Sequence, residues 1–213
     1  MSSTRNQLLR VASTLIKTHG FTREALANSV LHLPQREAPQ EPLNDLAVSA
    51  LFGSGDTARV ALITAWLEEG LNHMRKVPTP SVREILLARL DYNRDVLKHL
   101  PEAFALLCSP ENGWPPVDPR PALKHAATVA NETCIITQDR SLQLDWYARR
   151  ASLATVYSAA ELHQLKSPES AGAFLDDLLS ASETAGTTLR EAQVFSSYVY
   201  KSWNGILKSK GFW

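Results

Sequence analysis

The sequence predicts an all-α protein, and three observations support this prediction. Apolar residues recur at spacings of three and four, as in the run Leu8, Leu9, Ala12, Leu15 and Ile16. No segment alternates apolar and polar residues over the length of a strand, and no repeat or low-complexity tract is present. Clusters of proline and glycine separate the periodic segments. We therefore expect about nine or ten helices in one continuous domain, since 213 residues can bury a substantial core.

Four helices are expected before residue 76. Gly20 suits the end of the first helix as a cap, and three prolines between Pro34 and Pro42 mark an exposed loop after the second. The run Gly53-Ser54-Gly55 separates the third helix from a long fourth one. The four helices cover about residues 8–19, 22–33, 43–52 and 57–75.

Six helices are expected after residue 80. Ser81 and Glu84 have the Ser-x-x-Glu spacing of a capping box, and Pro101 suits the first turn of a helix. The segment from Leu142 to Leu165 is apolar around most of its circumference, which predicts a central helix enclosed by others. The six helices cover about residues 82–100, 101–108, 121–138, 142–166, 170–185 and 188–208.

Composition limits the function classes. The 22 basic and 22 acidic residues give a formal net charge of zero, which removes any general electrostatic attraction to nucleic acid or anionic surfaces. Cys108 and Cys134 belong to no CxxC pattern, so we interpret them as small buried hydrophobes in a reducing compartment. No run reaches the roughly 18 apolar residues that span a bilayer. The start, Met1 to Asn6, lacks the apolar stretch of a secretory signal and is too short to show a transit peptide.

The sequence nominates no catalytic residue, metal ligand or cofactor. It contains neither the Glu-x-x-His pairs of di-iron bundles nor an HExxH motif. Gly53-Ser54-Gly55 lacks the lysine and the preceding strand of a phosphate-binding loop. The acidic pairs Glu68/Glu69 and Asp176/Asp177 are adjacent on helices, so their side chains point in different directions and favour a solvated surface. We therefore expect a protein that is not an enzyme.

The N-terminal region raises the possibility of DNA binding, because three short helices followed by long ones is the order of TetR-type repressors. Its charge argues against this function. Between Phe21 and Val60 three basic residues stand against five acidic ones, a balance of 3 − 5 = −2, whereas a protein that reads a duplex must neutralise several phosphates. A TetR-type transcriptional regulator that senses an apolar ligand remains the alternative interpretation.

The C-terminal segment predicts a basic amphipathic helix. At 3.6 residues per turn its apolar residues fall within an arc of about 140°, with basic residues grouped opposite. Such a helix suits the boundary between lipid headgroups and acyl chains, although the same stripe could pack on the fold or across a dimer. The residues expected to contact a membrane are Leu189, Phe195, Val199, Trp203, Ile206, Leu207, Lys201 and Lys208.

Two aromatic and two basic residues stand near the start of the long apolar helix predicted at about 142–166. They lie in the run Asp145-Trp146-Tyr147-Ala148-Arg149-Arg150. Because adjacent residues on a helix diverge by about 100°, Trp146 and Tyr147 are not expected to share one face. We expect one ring to pack and the other to be displayed. The two arginines could be held by Asp139, Asp145 or Glu132.

Three motifs carry a family resemblance. They are Thr18-His19-Gly20-Phe21-Thr22-Arg23-Glu24-Ala25-Leu26, Leu51-Phe52-Gly53 and the run from Asp145 to Tyr157 with its Trp-Tyr-x-Arg-Arg core. With these motifs the chain resembles the coenzyme Q (ubiquinone) biosynthesis protein nine family from about Gln7 to Lys208. The resemblance implies a TetR-like helical fold that no longer binds DNA, a pocket for isoprenoid quinone lipids, and a peripheral place on the matrix side of the mitochondrial inner membrane. It also implies homodimers and a partner, the demethoxyubiquinone hydroxylase, to which quinone intermediates are presented.

The resemblance assigns partner contacts to Trp146, Tyr147, Thr133 and Asp139. For the lipid pocket we expect an apolar, helix-lined interior, since a polyprenyl tail is almost insoluble in water. Its expected lining is Phe104, Leu107, Ile135, Leu153, Val156, Tyr157 and Leu162. We expect residues 1–80 to form a degenerate helix-turn-helix region with a connecting helix, 81–186 the lipid-binding core, and 187–213 the membrane-binding helix.

Overall fold

A computed structural model describes residues 2–33, 41–78, 80–109, 117–142 and 144–184. Within these ranges the chain forms nine α-helices and no strand, which confirms the predicted all-α class. The tenth predicted helix, at about 188–208, lies outside the described residues, and the TetR-like arrangement stays a prediction. The helices are α1 Ser2–His19, α2 Arg23–Asn28, α3 Asp45–Phe52, α4 Asp56–Met74, α5 Val82–Asn93, α6 Leu100–Leu107, α7 Arg120–Ile136, α8 Leu144–Lys166 and α9 Ala171–Thr184.

Local sequence signals explain several of these boundaries. Gly20 ends α1 with a positive φ of 68°, and its N–H donates to the carbonyl of Ile16 at 2.9 Å. Ser81 and Glu84 form the predicted capping box at the start of α5. Two predicted helices are shorter than expected, because α2 and α5 both tighten into 3₁₀ turns, at Ser29–His32 and Arg94–His99.

The chain divides into two compact units, Met1–Gly70 and Leu71–Trp213. This division falls inside α4. The first unit packs α1 against α2 and the following 3₁₀ turn. Its core contains the apolar stripe of α1, and Phe21 meets Trp66 edge to face with ring centroids 5.5 Å apart.

The second unit packs α7 against α8 and α8 against α9, with α5 across them. Most of its core side chains are aliphatic and fully buried. The central buried residues include Met74, Ile85, Leu86, Leu90, Val129, Leu153, Val156, Tyr157 and Leu175. Both cysteines are buried and free, as expected, and burial raises the pKa of the Cys108 thiol to about 12.

No single helix of the described ranges is long and apolar enough to cross a bilayer. Among them, only α3 and α4 taken together, across a bend of 58°, reach that length and apolar character.

Candidate functional site

The first two turns of α8 display an aromatic pair. Trp146 is 38% exposed and Tyr147 is 68% exposed. Their rings meet edge to face, with centroids 4.8 Å apart and planes inclined at 75°. Tyr147 is thus the more displayed of the two rings, and neither ring lies in the interior. Although the two Cα–Cβ bonds diverge, both side chains are long enough to reach each other on the surface.

Arg150 fixes the position of the Trp146 ring. Its guanidinium carbon lies 3.9 Å from the ring centroid, one helical turn away, which is the geometry of a cation–π contact. The same guanidinium donates to the Asn131 side chain at 3.0 Å, to Asp139 at 3.4 Å and to the carbonyl of Trp146 at 3.3 Å. One face of the indole thus rests on the Arg150 side chain, which is itself hydrogen-bonded to α7 and to the turn after α7.

Asp139 lies in that turn between α7 and α8. A hydrogen bond from the Ser141 hydroxyl is the main reason that the pKa of the Asp139 carboxyl is lowered, and Arg149 and Arg150 add to the effect. Asp139 therefore holds Arg150, as one of the three expected carboxylates. Glu132 has another role, because it accepts two hydrogen bonds from Arg75, at 2.6 and 3.0 Å.

The structure changes the expected partner surface at two other places. Thr133 is fully buried and its hydroxyl donates to the carbonyl of Val129 at 2.8 Å, so it is not part of any surface in the described chain. Ile135 and Leu142, at the end of α7 and in the connection to α8, are 57% and 77% exposed. We call the exposed set Ile135, Leu142, Trp146 and Tyr147 the α7–α8 corner.

The residues expected to line a lipid pocket divide into three groups. Phe104, Leu153, Val156, Tyr157 and Leu162 are buried, Leu107 is half-buried, and Ile135 is exposed at the corner instead. Leu153, Val156 and Tyr157 belong to the packed core of the second unit, where they contact neighbouring side chains. Ile135 fails as a pocket residue because it lies on the outer face of the last turn of α7.

A groove of about 340 Å³ opens beside one of these residues, Leu153. It lies between α5, α8 and the last turns of α9. One side is closed by Arg83 and Asp176, whose side chains form two hydrogen bonds of 2.6 and 2.7 Å. Asp176 thus forms a surface ion pair with Arg83. The groove is lined by Val82, Arg83, Arg149, Leu153, Asp176, Leu179, Ser180, Ser182 and Glu183.

Sequence reasoning missed a buried polar network in the second unit. Asn93 of α5 donates its amide to Glu161 and to Gln164 of α8, both at 3.1 Å. The hydroxyl of Tyr157 donates to Glu161 at 2.6 Å, and the ring nitrogen Nε2 of His125 on α7 lies 3.6 Å from the same carboxylate. The signal that could have found it is a Glu inside the otherwise apolar run around Ala159 and Ala160, one turn after a tyrosine.

The network keeps Glu161 ionised although it is buried. Burial raises the pKa of the carboxyl, but attraction to His125 and Arg89 and the hydrogen bond from Tyr157 outweigh this, and the resulting pKa is about 2. Burial likewise raises the pKa of the Tyr157 hydroxyl well above 10, so it remains a donor. The network joins α5, α7 and α8, which is a structural role.

Metal and DNA binding receive no support from the described residues. Among them, no group of three or more His, Cys, Asp or Glu side chains could hold a metal ion. In the helix-turn-helix-like region, Arg23 is committed to the carboxylate of Asp45, at 2.6 Å, and to the carbonyls of Gly53 and Gly55. The helix α3 instead exposes Leu46, which is 81% accessible. An arginine held in this way is not available to a phosphate.

The eight residues expected to contact a membrane lie outside the described residues. They are Leu189, Phe195, Val199, Trp203, Ile206, Leu207, Lys201 and Lys208. Their assignment stays a prediction.

Comparison with known proteins agrees with the motif at the start of α8. The sequence model of the COQ9 family matches residues 120–186. The chain is similar to "Ubiquinone biosynthesis protein coq9, mitochondrial" of Schizosaccharomyces pombe, with 26% identity over 92% of this chain and 83% of that protein. It is 28% identical to the Bos taurus protein "Ubiquinone biosynthesis protein COQ9, mitochondrial" and 24% identical to that of Homo sapiens, in each case over 89% of this chain. The match spans only 60% of these two mammalian proteins.

Proposed function

We propose that this chain, whose residues 120–186 match the COQ9 family model and which is similar to COQ9 proteins over about nine-tenths of its length, is a lipid-binding accessory protein of ubiquinone biosynthesis. It binds isoprenoid quinone intermediates and presents them to the demethoxyubiquinone hydroxylase. It is not itself an enzyme and needs no cofactor. The names of its relatives support a role in this pathway and a mitochondrial location.

The α7–α8 corner is the observation that carries the proposal. Aromatic residues are enriched at the centres of protein interfaces, and a large exposed indole is usually tolerated where a partner covers it. Here the Trp146 ring is held by Arg150 at 3.9 Å, so little side-chain entropy remains to be lost on binding. We propose that the hydroxylase covers Trp146 and Tyr147, with Ile135 and Leu142 extending the apolar contact.

The lipid and membrane parts of the proposal are supported by chemistry that the sequence offers. A polyprenyl quinone must be lifted from a bilayer, and the apolar stripe of Leu189, Phe195, Val199 and Trp203 suits the matrix face of the inner membrane. The buried aliphatic interior of α7, α8 and α9 offers an environment for the tail once these helices move apart. Homodimerisation belongs to the same proposal.

Replacement of the indole tests the partner surface. We expect Trp146→Lys to weaken binding to the purified hydroxylase by at least about 30-fold, since an aromatic hot spot contributes about 2 kcal/mol or more. Affinity can be measured by surface plasmon resonance, and the melting temperature should hold because the ring is exposed. Leu123→Lys is the matched control, since Leu123 is an exposed apolar residue at the other end of α7.

Two outcomes would contradict the proposal. Equal affinities of Trp146→Lys and Leu123→Lys for the hydroxylase would remove the corner as its binding surface. Sequence-specific binding of duplex DNA that weakens steeply with salt would favour the alternative, a regulator that senses an apolar ligand.

A further inference from the structure

The turn between α7 and α8 fixes the backbone at Asp139. The helix α7 ends in a Schellman motif, in which the N–H of Asp139 donates to the carbonyl of Cys134 at 2.9 Å. The N–H of Gln138 donates to the carbonyl of Ile135 at 3.1 Å in the same motif. Gln138 has a φ of 54°, in the left-handed region that favours glycine, and such a conformation persists only where the surrounding contacts determine it. The Asp139 side chain therefore starts from a fixed point of the backbone.

The carboxylate of Asp139 is engaged by its own chain. It accepts hydrogen bonds from the hydroxyl of Ser141 and from Nη1 of Arg150, the latter at 3.4 Å. The side chains of Asp139 and Arg150 are only 20% and 13% exposed, so solvent screens their attraction less than that of a pair on the open surface. Little of the Asp139 side chain remains for a direct partner contact, which is the role that the family resemblance gives to this residue.

Arg150 donates to acceptors on three separate segments. Besides Asp139 in the turn, these are the side-chain oxygen of Asn131 on α7, at 3.0 Å, and the carbonyl of Trp146 on α8, at 3.3 Å. Because the guanidinium is planar and its donors are fixed in one plane, acceptors in different directions restrict it to a single orientation. In that orientation the guanidinium carbon lies 3.9 Å from the centroid of the Trp146 ring.

The position of the ring matters because an indole that moves freely on the surface must be ordered when a partner covers it. Ordering a side chain at an interface costs binding free energy. The contacts from Asp139 to Arg150 and from Arg150 to the ring remove this cost before a partner arrives. Asp139 is the charged acceptor among the three, so its attraction for Arg150 does not depend on a short contact.

We propose that Asp139 is a positioning residue of the α7–α8 corner, which acts on a partner by holding Trp146 through Arg150 and does not touch the partner itself. The identity of that partner, the hydroxylase, rests on the proposed function, whereas the state of the ring is a property of the free protein. Loss of Asp139 lowers the fraction of molecules whose ring is in place. It therefore slows association and leaves the dissociation of a formed complex unchanged.

The mobility of the Trp146 indole in the free protein tests the first step. The proton–nitrogen heteronuclear NOE of the indole Nε1–H reports motion on the picosecond to nanosecond timescale, and the Trp146 signal is identified by its absence in Trp146→Ala. We expect Asp139→Ala to lower the NOE of this signal and to leave those of the other tryptophans unchanged.

Asp145→Ala is the matched control for charge. Asp145 is an exposed acid in the first turn of α8, and among the described residues it forms no hydrogen bond or ion pair with Arg150. Asp145→Ala should therefore keep the wild-type NOE of Trp146.

A double-mutant cycle with the purified hydroxylase tests the second step. In the wild-type background Asp139→Ala should lower the association rate constant by about two- to tenfold, the range that ordering one side chain supports. In the Trp146→Ala background the same substitution should have no effect, because the ring through which it acts is absent. Asp139→Asn keeps the shape and one oxygen acceptor, so it should give intermediate values. It also replaces Asp139→Ala if that variant folds poorly.

Three results would overturn the positioning role. An unchanged NOE of Trp146 in Asp139→Ala would mean that Asp139 does not hold the ring. An equal loss of affinity with and without the Trp146 ring would mean that Asp139 contacts the partner directly. An equal effect of Asp145→Ala would reduce the result to a change of surface charge. Failure of the proposed function is a separate result, in which Trp146→Ala binds the hydroxylase as well as the wild type does, while the NOE pattern still supports the role of Asp139 in holding the ring.

Discussion

The two halves of α8 differ in composition and in burial. From Asp145 to Ala151 the helix is largely exposed, and its aromatic and basic side chains contact mainly each other and the turn before the helix. From Leu153 to Gln164 eight of the twelve residues are buried, in the part of the helix that packs with α5, α7 and α9. The same helix thus carries the proposed binding surface at one end and lies at the centre of the unit at the other.

The difference shows that local pairing alone does not decide the role of a residue. Trp146 and Arg150 are one turn apart, and so are Tyr157 and Glu161. In the first pair the Trp146 ring is partly exposed and Arg150 is half-buried, and a cation–π contact at an exposed site contributes about 0.5–1 kcal/mol. The second pair is buried with partners on two other helices, so its loss leaves charged groups without compensation. Substitutions at the second pair should lower the free energy of unfolding, whereas replacement of the Trp146 ring should mainly affect partner binding.

Removal of the central carboxylate should have the largest effect on stability. Glu161→Ala deletes the acceptor for the Tyr157 hydroxyl and the Asn93 amide, together with the charge that attracts His125 and Arg89. We expect the free energy of unfolding to fall by about 3–5 kcal/mol, measured by urea denaturation followed by circular dichroism.

Glu169→Ala provides the matched control, because Glu169 is an exposed acid just beyond the same helix. Its effect should stay within about 0.5 kcal/mol. Similar losses of unfolding free energy in the two variants would mean that the buried half of α8 does not depend on its polar network. The two halves would then differ only in the apolar area that they bury.

Much of the fold could be predicted from periodicity and punctuation. The positions of all nine described helices, the Gly20 cap and the Ser81 capping box depend on local signals, so the sequence contains them. The exposure of Trp146 and the burial of Thr133 depend on which helix covers which face. Periodicity cannot supply that information. Thr133 was therefore assigned to a surface that it does not reach, and the exposure of Trp146 was left open.

The site was predicted less completely, for a related reason. The Trp-Tyr-x-Arg-Arg motif is visible in the sequence. The place of Ile135 in the α7–α8 corner is not, because its exposure depends on which face of α7 the fold leaves uncovered. The network of Asn93, His125 and Glu161 joins residues up to 68 positions apart. Such polar contacts leave no periodic pattern, because each helix contributes only one or two members.

A low pH should weaken the buried half of α8, because the ionised Glu161 contributes to its stability. The folded-state pKa of Glu161 is about 2, below its ordinary value of 4.5. The stability that this group contributes is therefore complete above pH 4.5 and is lost as pH falls from 4.5 towards 2. The full loss is on the order of 3 kcal/mol.

The comparison of wild type with Glu161→Gln isolates this group, because other carboxylates titrate in both proteins. Urea unfolding at intervals between pH 6 and pH 3 should show a stability difference that shrinks as the solution becomes more acidic. A difference that stays constant over this range would mean that the pKa of Glu161 is the same in the folded and the unfolded protein.

Two tyrosines give the smallest and most closely matched test. Tyr157→Phe removes one buried hydroxyl that donates to Glu161 at 2.6 Å, and a hydrogen bond to a charged group contributes about 1.5–3 kcal/mol. Tyr147→Phe removes the same atom from a ring that is 68% exposed, so its stability should change by less than about 0.5 kcal/mol. For Tyr147→Phe the informative measurement is the affinity for the proposed partner, the hydroxylase. If both variants unfold at the same urea concentration, the buried hydroxyl of Tyr157 does not contribute to stability. The two halves of α8 would then differ only in how deeply their side chains are buried. If Tyr147→Phe alone weakens the hydroxylase complex while Tyr157→Phe alone weakens the fold, one helix performs two tasks with the same side chain, ten residues apart.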